Sequence, residues 1–124
     1  MYLPDTNIII RALAGEKKEA KFLKMALGEA NISISVIVIA EFVVKSDPTS
    51  LKIFNQLADH SSIVEVDREV AETAGYYRKK FLRKITRYFM LDCFLAAQAK
   101  IHNLILVTNN KSDFPMKDVK IIKP

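Results

Sequence analysis

Short apolar stretches alternate with helical patterns along this chain, and that alternation constrains its fold more than any other feature. Residues 1–5, 31–35, 62–66, 104–108 and 119–122 read as strands, and 104–108 is apolar throughout rather than at every second position. Between them lie helices. Thr6 or Asn7 can cap one that runs to about Leu13, and Gly15 ends it. Ala20, Leu23 and Leu27 repeat at helical spacing before Gly28. A helix over 36–45 follows the second strand, and Asp47 caps the next, with Pro48 in its first turn and Ile53, Phe54 and Leu57 as its apolar stripe. Asp67 opens a long helix to about Lys84, in which Val70, Ala74, Tyr77, Phe81 and Ile85 recur every three to four residues. A last helix spans about 89–102, with Asn103 suited to the left-handed position that ends helices.

Strands that are apolar on both sides belong in a parallel sheet covered by helices on both faces. The expectation is a single α/β domain over residues 1–124, three layers α/β/α, with a mostly parallel central sheet. No repeat or Gly/Ser linker divides it. Pro4 is the awkward residue, because proline lacks the N–H that a central strand donates. It is tolerable if pairing ends there and the chain turns outward at Asp5.

Composition narrows the setting. The lone Cys93 cannot form an internal disulfide, which points to a reducing interior. No run approaches the roughly 20 apolar residues that span a bilayer, and no basic leader precedes the first acid, so a complete cytoplasmic chain with no membrane partner is expected. Three glycines do not make a phosphate-cradling loop, which excludes P-loop and dinucleotide chemistry. The net charge of +5 is concentrated: Arg78, Lys79, Lys80, Arg83, Lys84 and Arg87 lie together with no acid among them. Outside that run the chain is nearly neutral, so a polyanion such as RNA is the partner this patch suits; a solvated helix face is the plain alternative.

Four acids take similar places beside the elements. Asp5 ends the first strand, Glu41 lies early in the helix after the second, Asp92 starts the last helix, and Asp113 follows the strand 104–108. In a parallel sheet such positions can converge beyond the carboxyl ends of the strands. Carboxylates at close range repel one another unless a cation neutralises them, and hard oxygen donors suit Mg²⁺ or Mn²⁺. A cation so held can activate water for in-line attack on a phosphodiester. Each acid also has an ordinary role open to it: turn residue or cap for Asp5, solvated helix residue for Glu41, helix-start charge for Asp92, loop acid for Asp113.

The blocks Pro4-Asp5-Thr6-Asn7, Ser35 to Glu41, Leu91-Asp92-Cys93-Phe94-Leu95-Ala96-Ala97, and Leu106-Val107-Thr108-Asn109-Asn110 with Asp113-Phe114 occur in this order across essentially the whole chain. Together they resemble the PIN-domain nucleases, in particular the toxins of VapBC toxin–antitoxin pairs. The resemblance implies an endoribonuclease with Mg²⁺ or Mn²⁺ as cofactor, Asp5 and Asp92 as central metal ligands, and Glu41 completing the acidic site. It implies that Asp113 is the acid of the terminal block, and that Asn7, Thr108 and Asn110 orient ligands or water. Cleavage leaving 5′-phosphate and 3′-hydroxyl ends, a homodimer and a small VapB-like antitoxin partner are implied as well. Asn110 is an amide where many relatives carry an acid, which puts a second metal in question.

Other features carry less. Tyr76, Tyr77, Phe81, Tyr88 and Phe89 interleave with the basic run; Lys84 and Arg87 are expected at phosphates and Tyr88 or Tyr76 at a base, with Tyr77 and Phe81 in the core. His60 and His102 would be needed for a metal-free histidine ribonuclease, but a loop and a helix C-terminus account for them. An aspartyl-phosphate enzyme of the haloacid-dehalogenase type wants a second acid where Asn7 stands. A housekeeping PIN nuclease and a non-catalytic RNA-binding module on the same fold remain the alternative functions.

Overall fold

The computed structural model describes residues 1–81 and 89–124. Among the described residues, five strands, β1 (Tyr2–Pro4), β2 (Ser33–Ser35), β3 (Ser62–Val64), β4 (Ile105–Val107) and β5 (Ile121–Ile122), alternate with six α-helices. These are α1 (Thr6–Leu13), α2 (Lys17–Gly28), α3 (Val36–Lys45), α4 (Pro48–Asp59), α5 (Arg68–Lys80) and α6 (Phe89–Ile101). Every strand pair is parallel: β1 with β4, β4 with β5, and β2 with β3. A single parallel bridge, Tyr2 to Ile32, joins the two groups and gives the order β3-β2-β1-β4-β5. Neighbouring residues of a strand face opposite sides, and Leu3 with Pro4, all of β2, and Leu106 with Val107 are buried. Both faces of the sheet are therefore covered at its three central strands, as unbroken apolar strands predict, whereas Ser62 and Ile63 of the edge strand β3 are exposed.

The seam between β1 and β2 explains Pro4. Tyr2 N donates to Asn31 O at 3.0 Å on the β2 side, whereas Asp5 N donates to Val107 O at 3.0 Å on the β4 side. Backbone groups alternate sides along a strand, so the missing N–H of Pro4 falls toward β2, where the ladder has already stopped. Proline therefore removes no ladder bond there.

Three helices end in the same way. Glu16, Asn31 and Leu104 each donate a backbone N–H to the carbonyl five residues back, and Gly15, Ala30 and Asn103, one residue earlier, hold φ of 84°, 50° and 52°. Gly15 and Asn103 are the left-handed residues their types suggest. Ala30 is not: Gly28 remains helical, and the chain turns two residues later than expected. The reason is the bond from Asn31 N to Ala26 O, which delivers the chain directly to β2.

Two other boundaries differ from expectation. The cap of α1 is Asp5, whose side chain accepts from Ile8 N, rather than Thr6 or Asn7. Helix α5 stops at Lys80, short of Lys84, and Ile85 lies outside the described residues. The remaining caps, Ser35, Asp47 and Asp67, bond the helix amides. The core runs through Leu3, Ile34, Val38, Phe54, Val70 and Leu106, each at most 0% exposed. Cys93 is fully buried, and burial pushes its thiol up to about 11, with the Asp92 charge adding to the rise. No described helix is long and apolar enough to cross a membrane.

Candidate functional site

The strand order reverses its direction of growth at β1, where β2 lies on one side and β4 on the other. Ligands of open parallel sheets bind at such a switch point, beyond the carboxyl ends of the strands. Asp5 and Thr108 are the first residues past β1 and β4. Thr108, fully buried, donates its Oγ1 hydrogen to Asp5 Oδ2 at 2.5 Å. The other oxygen, Oδ1, accepts from Ile8 N at 3.0 Å as the cap of α1. Both oxygens of Asp5 are thus fixed in direction by backbone geometry on one side and a buried hydroxyl on the other. Thr108 Oγ1 in turn accepts from Asn110 N at 3.0 Å, which holds the loop after β4.

Glu41 stands in the second turn of α3, and its Oε1 accepts from Thr6 Oγ1 at 3.0 Å. Asp92 lies in the first turn of α6, and Asp113 closes a short 3-10 turn, Lys111–Asp113. Asp5, Glu41, Asp92 and Asp113 line one cavity together with Asn7 and Asn110. A wider cleft of about 520 Å³ adjoins it and shares Asn7, Glu41, Asp92 and Asp113 with it. Seven of the residues expected at the site, counting Thr108 through its bond to Asp5, are therefore gathered at one place. Lys84, Arg87 and Tyr88 lie outside the described residues. His60 and His102 line other cavities, so the two-histidine arrangement is absent from this site.

The electrostatics carry the imprint of that convergence. Burial raises the carboxyl of Asp92, the charges of Asp113, Glu41 and Asp5 raise it further, and it is pushed up to about 7. Asp5 is also raised, by burial first; the bonds from Thr108 and the Ile8 amide oppose the rise, and the Glu41 charge adds to it. Among the described residues no three acidic, histidine or cysteine groups are already drawn tightly enough to cage a metal ion. The donor set nevertheless fits a hard divalent cation. The cavity offers carboxylate and amide oxygens without histidine or cysteine, the charges of Asp113, Glu41 and Asp5 bear on Asp92, and Mg²⁺ keeps several waters rather than needing a complete protein cage.

Several contributors were not visible in the sequence pattern. Thr6 gives no signal beyond its place in the first block, yet it orients Glu41. Asn109 Nδ2 donates to Glu19 Oε1 at 3.1 Å, tying the loop after β4 to α2, and this amide holds the buried Glu19 carboxyl below its usual range. Lys45, one helical turn beyond Glu41, lines the acidic cavity and its adjoining cleft, a position that spacing of four along α3 could have disclosed.

The result is a parallel α/β domain whose switch point is lined by acids from four separated segments. The chain belongs to the PIN-domain family, whose model matches residues 2–120. It is 26% identical over 116 residues to Ribonuclease VapC10 of Mycobacterium tuberculosis, spanning 94% of this chain and 87% of that protein. Its fold is similar to a chain of VapBC2 from Rickettsia felis bound to a DNA fragment from their promoter, with TM-score 0.80 and 23% identity over 99% of this chain and 98% of that one. It is similar also to a chain of a toxin–antitoxin complex from Klebsiella pneumoniae, with TM-score 0.78 and 24% identity over 98% of this chain and 96% of that one.

Proposed function

We propose that this chain is a Mg²⁺- or Mn²⁺-dependent endoribonuclease, the toxin of a VapBC-type toxin–antitoxin pair. The observation that carries the proposal is the shared cavity of Asp5, Glu41, Asp92 and Asp113, acids from four separate segments, in which the charges of the other three add to the rise of the Asp92 carboxyl. Membership of the PIN family and the likeness to Ribonuclease VapC10 support the same reading.

On this reading Asp5, Glu41, Asp92 and Asp113 hold the cation, which supplies charge neutralisation at phosphate and activation of water when bound. Asp5 is pre-oriented by Thr108 and the Ile8 amide, and Glu41 by Thr6, so neither carboxylate must reorganise as substrate enters. Asn7 and Asn110, both exposed at the cavity, are placed to orient water or phosphate. Lys84, Arg87 and Tyr88 are assigned to RNA on the sequence pattern alone. RNA is the substrate, a VapB-like antitoxin the protein partner, and a second copy of the chain completes a homodimer. Val36, Ile39, Ala40 and Val43 support the last point, because they form an apolar stripe on α3, beside the buried Val38 and Phe42, of which Ala40 and Val43 are exposed and Val36 and Ile39 only half-buried.

The test is cleavage of single-stranded RNA with Mg²⁺, with Mn²⁺ and with chelator, in the wild-type chain and in Asp5→Asn and Asp92→Asn. Asparagine caps helices as well as aspartate does, so Asp5→Asn removes charge while keeping the start of α1. Metal-dependent cutting to 5′-phosphate ends, lost in both variants, is expected. Binding without cutting under every metal condition would instead assign the chain to the non-catalytic class.

A further inference from the structure

The cleft beside the acidic cavity mixes surfaces that metal binding does not require. Glu41, Val44 and Lys45 stand at spacings of three and four along α3 and therefore share one side of that helix. Val44 is 85% exposed, so its side chain is open to a ligand in the cleft. Across from it lie Leu91, at the start of α6, and Asn7, in the first turn of α1. Lys45 is the sole basic residue that lines either the cavity or the cleft among the described residues, and among these it makes no ion pair.

A lysine kept beside four carboxylates without being paired to any of them is placed for an anion that enters with its own counter-charge. The apolar wall next to it, Val44 with Leu91, suits a flat, weakly polar group. One ligand class offers both within a few ångströms: a nucleotide unit of single-stranded RNA, with a phosphate for Lys45 and a base for the apolar wall. The cleft's volume of about 520 Å³ accommodates one such unit. We infer that this cleft is the subsite for the nucleotide next to the scissile phosphate, with Lys45 as its phosphate-binding residue and Val44 and Leu91 as its base platform. This inference rests on the nuclease reading for the identity of its ligand and deepens it by naming where the substrate lies.

Lys45 is exposed at the last turn of α3, so replacing it disturbs no packing. The experiment is equilibrium binding of a short single-stranded RNA, in chelator so that nothing is cut, over a series of salt concentrations, to wild type, Lys45→Met and Lys45→Arg. Each phosphate contact to a single strand contributes about 0.7 to the slope of log affinity against log salt. The expected result is a several-fold weaker binding and a slope shallower by about 0.7 in Lys45→Met, with both restored in Lys45→Arg. Unchanged affinity and slope in Lys45→Met would overturn the inference, as would a wild-type chain that binds no RNA. A fourth possibility is that Lys45 serves only as counter-ion to the acids; divalent metal would then bind more tightly to Lys45→Met while the RNA slope stayed as in wild type, and that too would overturn it. Cleavage is scored separately in Mg²⁺: RNA held through Lys45 but not cut defeats the nuclease reading alone, and RNA cut with an unaltered slope defeats the subsite alone.

Discussion

Ser35 Oγ donates to Gln98 Oε1 at 2.5 Å in the interior, and neither side chain is exposed at all. Gln98 Nε2 continues the network to Val64 O at 3.1 Å and Glu65 O at 3.0 Å. Ser35 is also the cap of α3, accepting from Ile37 N. One buried amide thus ties the ends of β2 and β3 to α6, and with them the helix that carries Glu41 to the helix that carries Asp92. Gln98→Leu preserves volume but leaves two carbonyls and a hydroxyl without their partner. A loss of roughly 3 kcal/mol is expected, at about 1–3 kcal/mol for each buried group left unpaired. Urea denaturation measures it, and a loss below about 0.5 kcal/mol would mean that water or a shifted backbone takes over these bonds.

Thr108 offers a sharper separation of orientation from stability. Thr108→Val keeps the β-branched shape and removes both the bond its hydroxyl accepts from Asn110 N and the hydrogen bond it donates to Asp5. That bond lowers the Asp5 carboxyl against the rise imposed by burial, so its loss raises the carboxyl further. Bonds to charged groups contribute about 1.5–3 kcal/mol, and a tenfold or greater fall in RNA cleavage together with weaker Mg²⁺ binding is expected. A variant that cleaves at the wild-type rate would show that Ile8 N alone suffices to hold Asp5.

The fold was legible in the sequence wherever pattern and position agree. Leu104 to Val107 is apolar throughout because both faces of β4 are covered, and Asp47-Pro48 marks the start of α4 because side-chain capping and a missing N–H suit the same place. The candidate acids were legible for the same reason, since each follows or opens an element whose limits the pattern gives. What stayed hidden depends on pairing between distant segments. Nothing near Pro4 reveals that the β1–β2 ladder opens beside it. Nothing in Ala30 predicts φ of 50°, which the bond between Asn31 and Ala26 imposes. Asp5 is both helix cap and partner of Thr108, a double role that becomes visible only when residues 103 apart in sequence meet.

The partly exposed stripe on α3 makes a prediction about assembly. Val43 is 51% exposed and lies on the side of the helix opposite the cleft that Glu41 and Lys45 line. Val43→Glu places a charge on the apolar face at a position that is half exposed. The wild-type chain is expected to sediment as a dimer and the variant as a monomer at the same concentration, with similar helix content by circular dichroism. A monomeric wild type at high micromolar concentration would remove α3 as a self-association surface.

The charge load on Asp92 gives stability a pH dependence of definite sign. Its carboxyl is raised from 3.8 in the unfolded chain to about 7 in the folded one, so between these values the folded state holds a proton that the unfolded state has released. Folding stability from this group is fully present below the unfolded value and is lost as pH rises through about 7. In chelator, the melting temperature should therefore fall between pH 5 and pH 8 by more in wild type than in Asp92→Asn, which has no proton to lose. Divalent metal reverses the penalty, because it favours the ionised carboxylates: at a concentration 100 times its dissociation constant it stabilises by about 2.7 kcal/mol. The rise in melting temperature on adding Mg²⁺ or Mn²⁺ should be larger at pH 8 than at pH 5 and strongly reduced in Asp92→Asn. Equal pH dependence in the two proteins would show that the four acids do not share a charge environment, and the absence of any metal effect at millimolar concentration would remove the cation from the site.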